Sequence, residues 1–377
     1  MANKMRAYTA SHRLFTVLYP CFLALVTSCA QTADRKSTQK EQEWRHSGRI
    51  VEQREEPATG HEAERTGPSR NPEARKWLAL HDPDGLFMLE EFEKAPRVVS
   101  FGNLTVTLES HDDFDSYVRG NSRLERIQCL NTLVHELSHA YTERLAWSQA
   151  AARGLDVEMK DQYFCYYLGG GESVLIRETP GFPSRDIHAD FPAELKTERY
   201  RIYIHPSKPD LGTQQHGVYG LLDEFNAYYQ GTRAAFRCAP FFREQGGQTP
   251  GVWLDFFDTV HSTYFARAEF KLYILRYLLR ARTKAPKTYR LIMGNAEFRR
   301  AFTRVDSLYG ALIEEFTRMK EATLEALGQA GYRIKVDNRY VFIGNEGRGH
   351  FGDVVRKLER EMERPAYREL LTELMAR

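Results

Sequence analysis

Cysteine is scarce in this chain, with five in 377 residues: Cys21, Cys29, Cys129, Cys165 and Cys238. The last three allow at most one internal bridge and fit no zinc-ribbon spacing. They read as buried small hydrophobes or as one bridge, and a disulfide-framed scaffold is excluded. A charge surplus is missing as well. The formal net charge is +2, so nothing in the balance points to a nucleic-acid partner. No internal repeat occurs. The glycine run 169–171 is not followed by the GK[ST] of a phosphate loop and reads as a turn. The acidic cluster His111-Asp112-Asp113-Phe114-Asp115 lacks the spacing of a calcium loop and reads as turn and capping residues.

The apolar run from Leu14 to Thr27 is too short to span a bilayer comfortably. Lys4, Arg6 and Arg13 precede or open it and no acid occurs there, the pattern of a secretory signal. It ends in Val26-Thr27-Ser28-Cys29, which resembles the lipobox of bacterial lipoproteins. That resemblance implies cleavage before Cys29, a diacylglycerol on its sulfur, and attachment to a membrane through the N-terminal lipid. Ala30 stands where a retention signal has Asp, which favours the outer membrane or cell surface over the inner membrane. Removing residues 1–28 takes three positive charges from the formal +2 and leaves −1. Residues 29–75 are charged and polar, with Trp44, Ile50 and Val51 as the sizeable apolar side chains. Such a segment cannot offset its ordering entropy and is expected to be a disordered tether, with room for a few helical turns around Gln39 to Glu56.

The chemistry is concentrated in Leu130 to Tyr141, LNTLVHELSHAY. Ser122 and Glu125 form a capping box, so a helix is expected from about Arg123. At about 100° per residue, Leu130, Leu133, Val134, Leu137, Tyr141 and Leu145 share one stripe and His135 and His139 lie nearly opposite. The spacing predicts a helix buried on one side, with its two imidazoles projecting together from the other. Paired imidazoles at i and i+4 make half of a tetrahedral zinc site, and Glu136 is placed to take a proton from a water activated by the metal.

A third ligand is sought in GVYGLLDEFNAYYQG, Gly217 to Gly231. Val218, Leu222, Phe225 and Tyr229 form an apolar stripe there, and Glu224 lies beside the small residues Gly220, Ala227 and Gly231. A carboxylate in a strip of small residues suits a helix pressed closely against another. Asp223, His216, His205 and Glu172 compete for the role.

HExxH followed by a glutamate on a second helix resembles the gluzincin branch of the zincin metallopeptidases. The resemblance implies one Zn2+ per chain held by His135, His139 and Glu224, with Glu136 as general base and a peptide or protein as substrate. It also implies an oxyanion-stabilising side chain, for which Tyr228 and His216 are the candidates. The chain departs from the best-known gluzincins in the 85 residues between His139 and Glu224. The metzincin pattern is not met, since Thr142 and Leu145 stand where its Gly and third His belong.

Before the histidine helix, RVVSFGNLTVTL from Arg97 to Leu108 reads as strand. By the zincin resemblance, Leu104, Val106 and Leu108 belong to an edge strand that pairs with extended substrate. After the helix, Tyr163 to Leu168, Glu172 to Glu178 and Tyr200 to His205 read as strands, with a short helical piece near Pro192 to Thr197. From Val252 helices are expected, including Ala266 to Arg282 and one or two within Glu297 to Leu327. A hairpin over Tyr332 to Val336 and Tyr340 to Ile343 follows, then a helix over Asp353 to Met375 broken near Pro365.

The expected fold class is α+β and zincin-like, a small sheet with an active-site helix and a mainly helical C-terminal lobe. The expected regions are signal 1–28, lipidated tether 29–75, catalytic region 76–250 and helical lobe 251–377. The expected activity is that of a lipid-anchored zinc metallopeptidase of the cell envelope. The alternative is a surface lipoprotein that keeps the scaffold for binding or adhesion with little or no catalysis.

Overall fold

A computed structural model of the chain describes residues 49–52, 70–108, 111–205, 209–246 and 251–376. The signal segment and Cys29 lie outside the described residues. The first two helices are α1 (Pro72–His81) and α2 (Pro83–Lys94), each with proline in its first turn, where the missing N–H would have no helical partner anyway. The expected tether ran to residue 75, yet α1 already starts at Pro72. The Asp115 carboxylate accepts hydrogen bonds from the Glu73 and Ala74 backbone N–H groups at 3.3 and 2.8 Å. That cap comes from some forty residues downstream, so local composition carries no trace of it. The strand β1 (Arg49–Glu52) also falls inside the segment expected to be a disordered tether with room for a few helical turns.

The strand segment 97–108 forms a hairpin of β2 (Val98–Phe101) and β3 (Leu104–Thr107), with Val99 opposite Val106. In the sheet β3 stands between β1 and β2, so the strand expected as a free edge has a neighbour on each side. Val106 and Leu108 are core residues; Leu104 is half-buried. Alternating burial is common to edge and central strands, and periodicity alone does not separate them. The acidic cluster behaves as expected: Asp113 caps the 3₁₀ turn Phe114–Tyr117, accepting from the Ser116 N–H.

Ser122 and Glu125 complete their capping box at the head of α3 (Arg123–Gln128), which leads into α4 (Leu130–Ala152), the histidine helix. Leu130, Leu133, Val134 and Leu137 are fully buried. Next come β4 (Tyr163–Gly169) and β5 (Glu172–Arg177), an antiparallel pair. Gly169, Gly170 and Gly171 between them have φ of 93°, 60° and 79°, values that side-chain-bearing residues rarely adopt.

The third expected strand is instead α5 (Glu198–Tyr203), with Thr197 accepting from the Tyr200 N–H as its N-cap. Tyr200, Tyr203 and Ile204 are buried whereas Ile202 is 44% exposed. The burial follows helical spacing, although in the sequence Tyr200, Ile202 and Ile204 also alternate with a period of two.

The remaining elements are α6 (Gly212–Gln215), α7 (Val218–Arg237), α8 (Ala239–Gly246), α9 (Gly251–Tyr264), α10 (Ala266–Lys284), α11 (Pro286–Gly294) and α12 (Ala296–Gln329). They are followed by a three-stranded antiparallel sheet of β6 (Ile334–Val336), β7 (Tyr340–Ile343) and β8 (Glu346–Gly349), and by α13 (Gly352–Met362) and α14 (Pro365–Met375). The hairpin and the break at Pro365 are as expected; β8 is additional. Residues from Ile50 onward make one compact unit. Its core runs from Tyr166 through Phe225, Tyr273 and Phe302 to Leu370, crossing position 250, where the catalytic region and the helical lobe were expected to meet. Cys165 and Cys238 are buried thiols and Cys129 is half-buried.

The architecture is α+β, dominated by helices, with small antiparallel sheets. Among the described residues no helix is long and apolar enough to cross a membrane. A buried charge cluster fixes α7 to the α1–α2 corner. Arg233 and Arg237 reach Asp82 at 3.1 and 2.6 Å, and Arg237 reaches Asp84 at 2.6 Å. Breaking one member of such a cluster strands a charge in a medium that cannot solvate it, so the placement of α7 against α4 is strongly constrained.

Candidate metal centre

The close approach of α4 and α7 depends on Gly231. A Cβ built there would stand 2.7 Å from both the carbonyl and the side-chain oxygen of Asn131 and 3.4 Å from the Cβ of His135. Gly220, in the same strip, serves another contact: its Cβ would lie 2.4 Å from the Gly212 carbonyl oxygen of α6. The close packing expected from the strip of small residues is present, and the histidine face of α4 is turned to α7. It is covered by α7, and α4 is buried on two sides.

Under that cover three side chains converge. His135 Nε2 and His139 Nε2 are 3.2 Å apart, and Glu224 Oε2 is 3.7 Å from each. Ligands around a tetrahedral ion with bonds of about 2.0–2.2 Å are separated by about 3.3–3.5 Å. His135, His139 and Glu224 thus offer three donor atoms at nearly the edges of such a tetrahedron.

The partners of the two rings agree with this arrangement. His139 Nδ1 donates to Asp223 Oδ2 at 2.6 Å, and His135 is bonded to the backbone of Ala227. His139 is held through Nδ1, which leaves its Nε2 facing His135 Nε2 and Glu224 Oε2. Oε2 of Glu224 is buried and accepts no hydrogen bond. An orphaned carboxylate oxygen is costly, and a cation between it and the imidazoles would remove that cost.

The electrostatics have the same sense. Burial pushes the Glu224 carboxyl up to about 7, with the carboxylates of Asp223 and Glu136 adding to the rise and His139 opposing it. Burial would lower His139, but Asp223 and Glu224 outweigh it and raise the imidazole to about 10. His135 is held well below its usual value by burial, with His139 and Arg199 contributing. Three carboxylates around two imidazoles in one buried cluster favour a positive charge at its centre. Glu136, half-buried, is near enough for its charge to be felt by both His139 and Glu224.

The other sequence candidates are distributed around this centre. Tyr228 lies edge-on to His135, with ring centroids 4.6 Å apart. Its hydroxyl meets that of Tyr203 at 3.1 Å. His216 bonds Glu178 Oε2 through Nδ1 at 2.9 Å and packs edge-on against Phe164. Asp223 supports His139 from behind, His205 stacks on His188, and Glu172 is bonded by Arg300 at 2.6 Å. Of the five residues weighed for the third position, Glu224 is the one that converges on the histidines.

Sequence reasoning missed Tyr203 and Arg199. The Tyr203 hydroxyl is turned toward the Glu224 carboxylate and helps hold it in its charged form. Arg199 lies over the Tyr228 ring at 4.5 Å. Both sit on α5, read from the sequence as a strand; the signal that could have found them is Thr197, a capping residue directly before an acid. The chain matches no protein family, no curated protein and no solved structure with which it was compared.

Proposed function

We propose that this chain is a zinc-dependent metallopeptidase with a zincin-like, gluzincin-type centre, exported and anchored to the cell envelope by lipid on Cys29. The observation that carries the reading is the convergence of His135, His139 and the unpartnered Oε2 of Glu224 at separations of 3.2, 3.7 and 3.7 Å, with Glu136 on the next position of the same helix. These residues fit Zn2+ in number, chemistry and spacing. When bound, the ion would supply Lewis acidity for the scissile carbonyl and for a water beside it.

The rest of the reaction falls to the chain. Glu136 takes the proton from the attacking water and delivers it to the leaving amine nitrogen. His139 is kept in the productive tautomer by Asp223. Tyr228, beside His135, is the nearest of the proposed oxyanion donors. The substrate is a peptide or protein, by resemblance of the centre.

The test is Glu136→Gln in the full-length protein, assayed for bound zinc and for hydrolysis of a mixed peptide library. Zinc should stay near one per chain while hydrolysis falls by at least about 100-fold, the scale of general-base contributions. Unchanged hydrolysis would remove Glu136 from the mechanism. A parent that binds zinc yet cleaves nothing, with partners still bound by the variant, would favour the binding-lipoprotein alternative.

A further inference from the structure

Behind the metal ligands lies a buried ion pair that the proposed chemistry does not use. Arg199 Nη1 is 3.0 Å from Glu269 Oε2, with side-chain exposures of 11% and 0%. Arg199 Nη2 also donates to the Ser262 carbonyl at 2.9 Å. Its Nε and the other Glu269 oxygen have no partners. A buried pair with unsatisfied atoms contributes little net stability, so its role is sought in what it touches.

The guanidinium lies over two rings, Tyr228 at 4.5 Å and Phe265 at 4.4 Å. Tyr228 stands against the His135 imidazole, and its hydroxyl is paired with Tyr203, which faces Glu224. Two of the three donors are therefore backed by one cluster, and the third, His139, by Asp223.

We infer that Arg199 is a positioning residue for the metal centre, acting through the Tyr228–Tyr203 hydroxyl pair to fix the His135 ring and the Glu224 carboxylate. The inference rests on the metal-site reading above. Anchored to Glu269 on α10 and to Ser262 on α9, the guanidinium holds the Tyr228 ring in place through cation–π contact. Tyr203 then has one fixed hydroxyl partner and one fixed direction in which to face Glu224. Without Arg199 the tyrosine pair gains freedom, and the donor triangle loosens on two corners.

The experiment measures zinc affinity by chelator competition, and the visible spectrum after cobalt substitution, in the full-length parent and three variants: Tyr203→Phe, Arg199→Lys and the charge-balanced double change Arg199→Met with Glu269→Leu. Tyr203→Phe and the double variant should each bind zinc about 10-fold or more weakly, the lower bound for loss of an outer partner, with altered cobalt bands. Arg199→Lys should recover only part of the affinity, since an ammonium lacks the planar guanidinium that lies over both rings. Parent-like affinity and cobalt bands in Tyr203→Phe and in the double variant, whatever their melting temperatures, would overturn the inference and leave Arg199 a structural residue. Should the double variant not fold, Tyr203→Phe decides alone. A folded parent that takes up neither metal would overturn the metal reading itself, a result distinct from parent binding with insensitive variants.

Discussion

Replacing Glu224 with Gln should change zinc binding and metal-free stability in opposite directions. The side chain keeps its shape but loses its charge and its best donor. Structural zinc sites bind with about 10–16 kcal/mol from four ligands, so one ligand accounts for about 3 kcal/mol and its loss for about 100-fold or more in affinity. In the metal-free protein the same carboxylate is a liability, because Oε2 has no hydrogen-bond donor and burial raises the group to about 7. An acid whose folded pKa lies above its unfolded value binds its proton more tightly when folded. Its contribution is therefore most favourable below about 4.5 and is lost as pH rises through about 7. Above pH 7 the net penalty is on the order of 3 kcal/mol, with the opposing attraction of His139 already contained in it. Metal-free Glu224→Gln should accordingly melt a few degrees above the metal-free parent at pH 8, and the gap should close toward pH 4.5. The assay is thermal unfolding with and without zinc across pH 4.5–8, alongside chelator competition. Parent-like zinc affinity would discard Glu224 as ligand. A metal-free variant less stable than the parent at pH 8 would show that Oε2 has a partner and would refute the electrostatic reasoning.

Three further outcomes are expected. Asp223→Asn keeps a hydrogen-bond acceptor for His139 Nδ1 but removes the charge 2.6 Å away, and zinc affinity by chelator competition should fall about 10- to 100-fold. Gly231→Ala inserts a methyl 2.7 Å from two Asn131 oxygens; helix propensity offsets about 1 kcal/mol of a clash of about 1–3 kcal/mol, so urea unfolding should show a net loss together with weaker zinc binding. On α9, burial raises Asp258 to about 6, with Asp255 adding and Arg348 opposing. Its penalty grows as pH rises from about 4 to 6, so Asp258→Asn should gain on the order of 2 kcal/mol at pH 8 and nothing near pH 3.5 in denaturant titrations.

How much of this was legible in the sequence depends on the range of the interaction concerned. The capping box of Ser122 and Glu125, the stripe from Leu130 to Leu145, the turn at 169–171 and the break at Pro365 involve partners within a few residues, and the structure keeps all of them. Helical spacing alone put His135 and His139 side by side, and a carboxylate among small residues singled out Glu224 in advance of any fold. The start of α1 was misjudged because its cap, Asp115, is distant in the chain, and α5 because Tyr200, Ile202 and Ile204 alternate as a strand does.

What tertiary structure decided is which of these local features meet. A sequence states that a helix has a histidine face; whether that face looks at water or at α7 depends on Gly231 and on the Asp82–Arg233–Arg237 cluster. It lists five possible third ligands with Glu224 foremost, and packing is what sets Glu224 at 3.7 Å from both imidazoles and Asp223 behind His139. Arg199 and Tyr203 carry no motif at all. They acquire their place beside the donors because Glu269 and the Tyr228 ring lie next to them in space, and proximity between distant segments arises from burial, which no local pattern encodes.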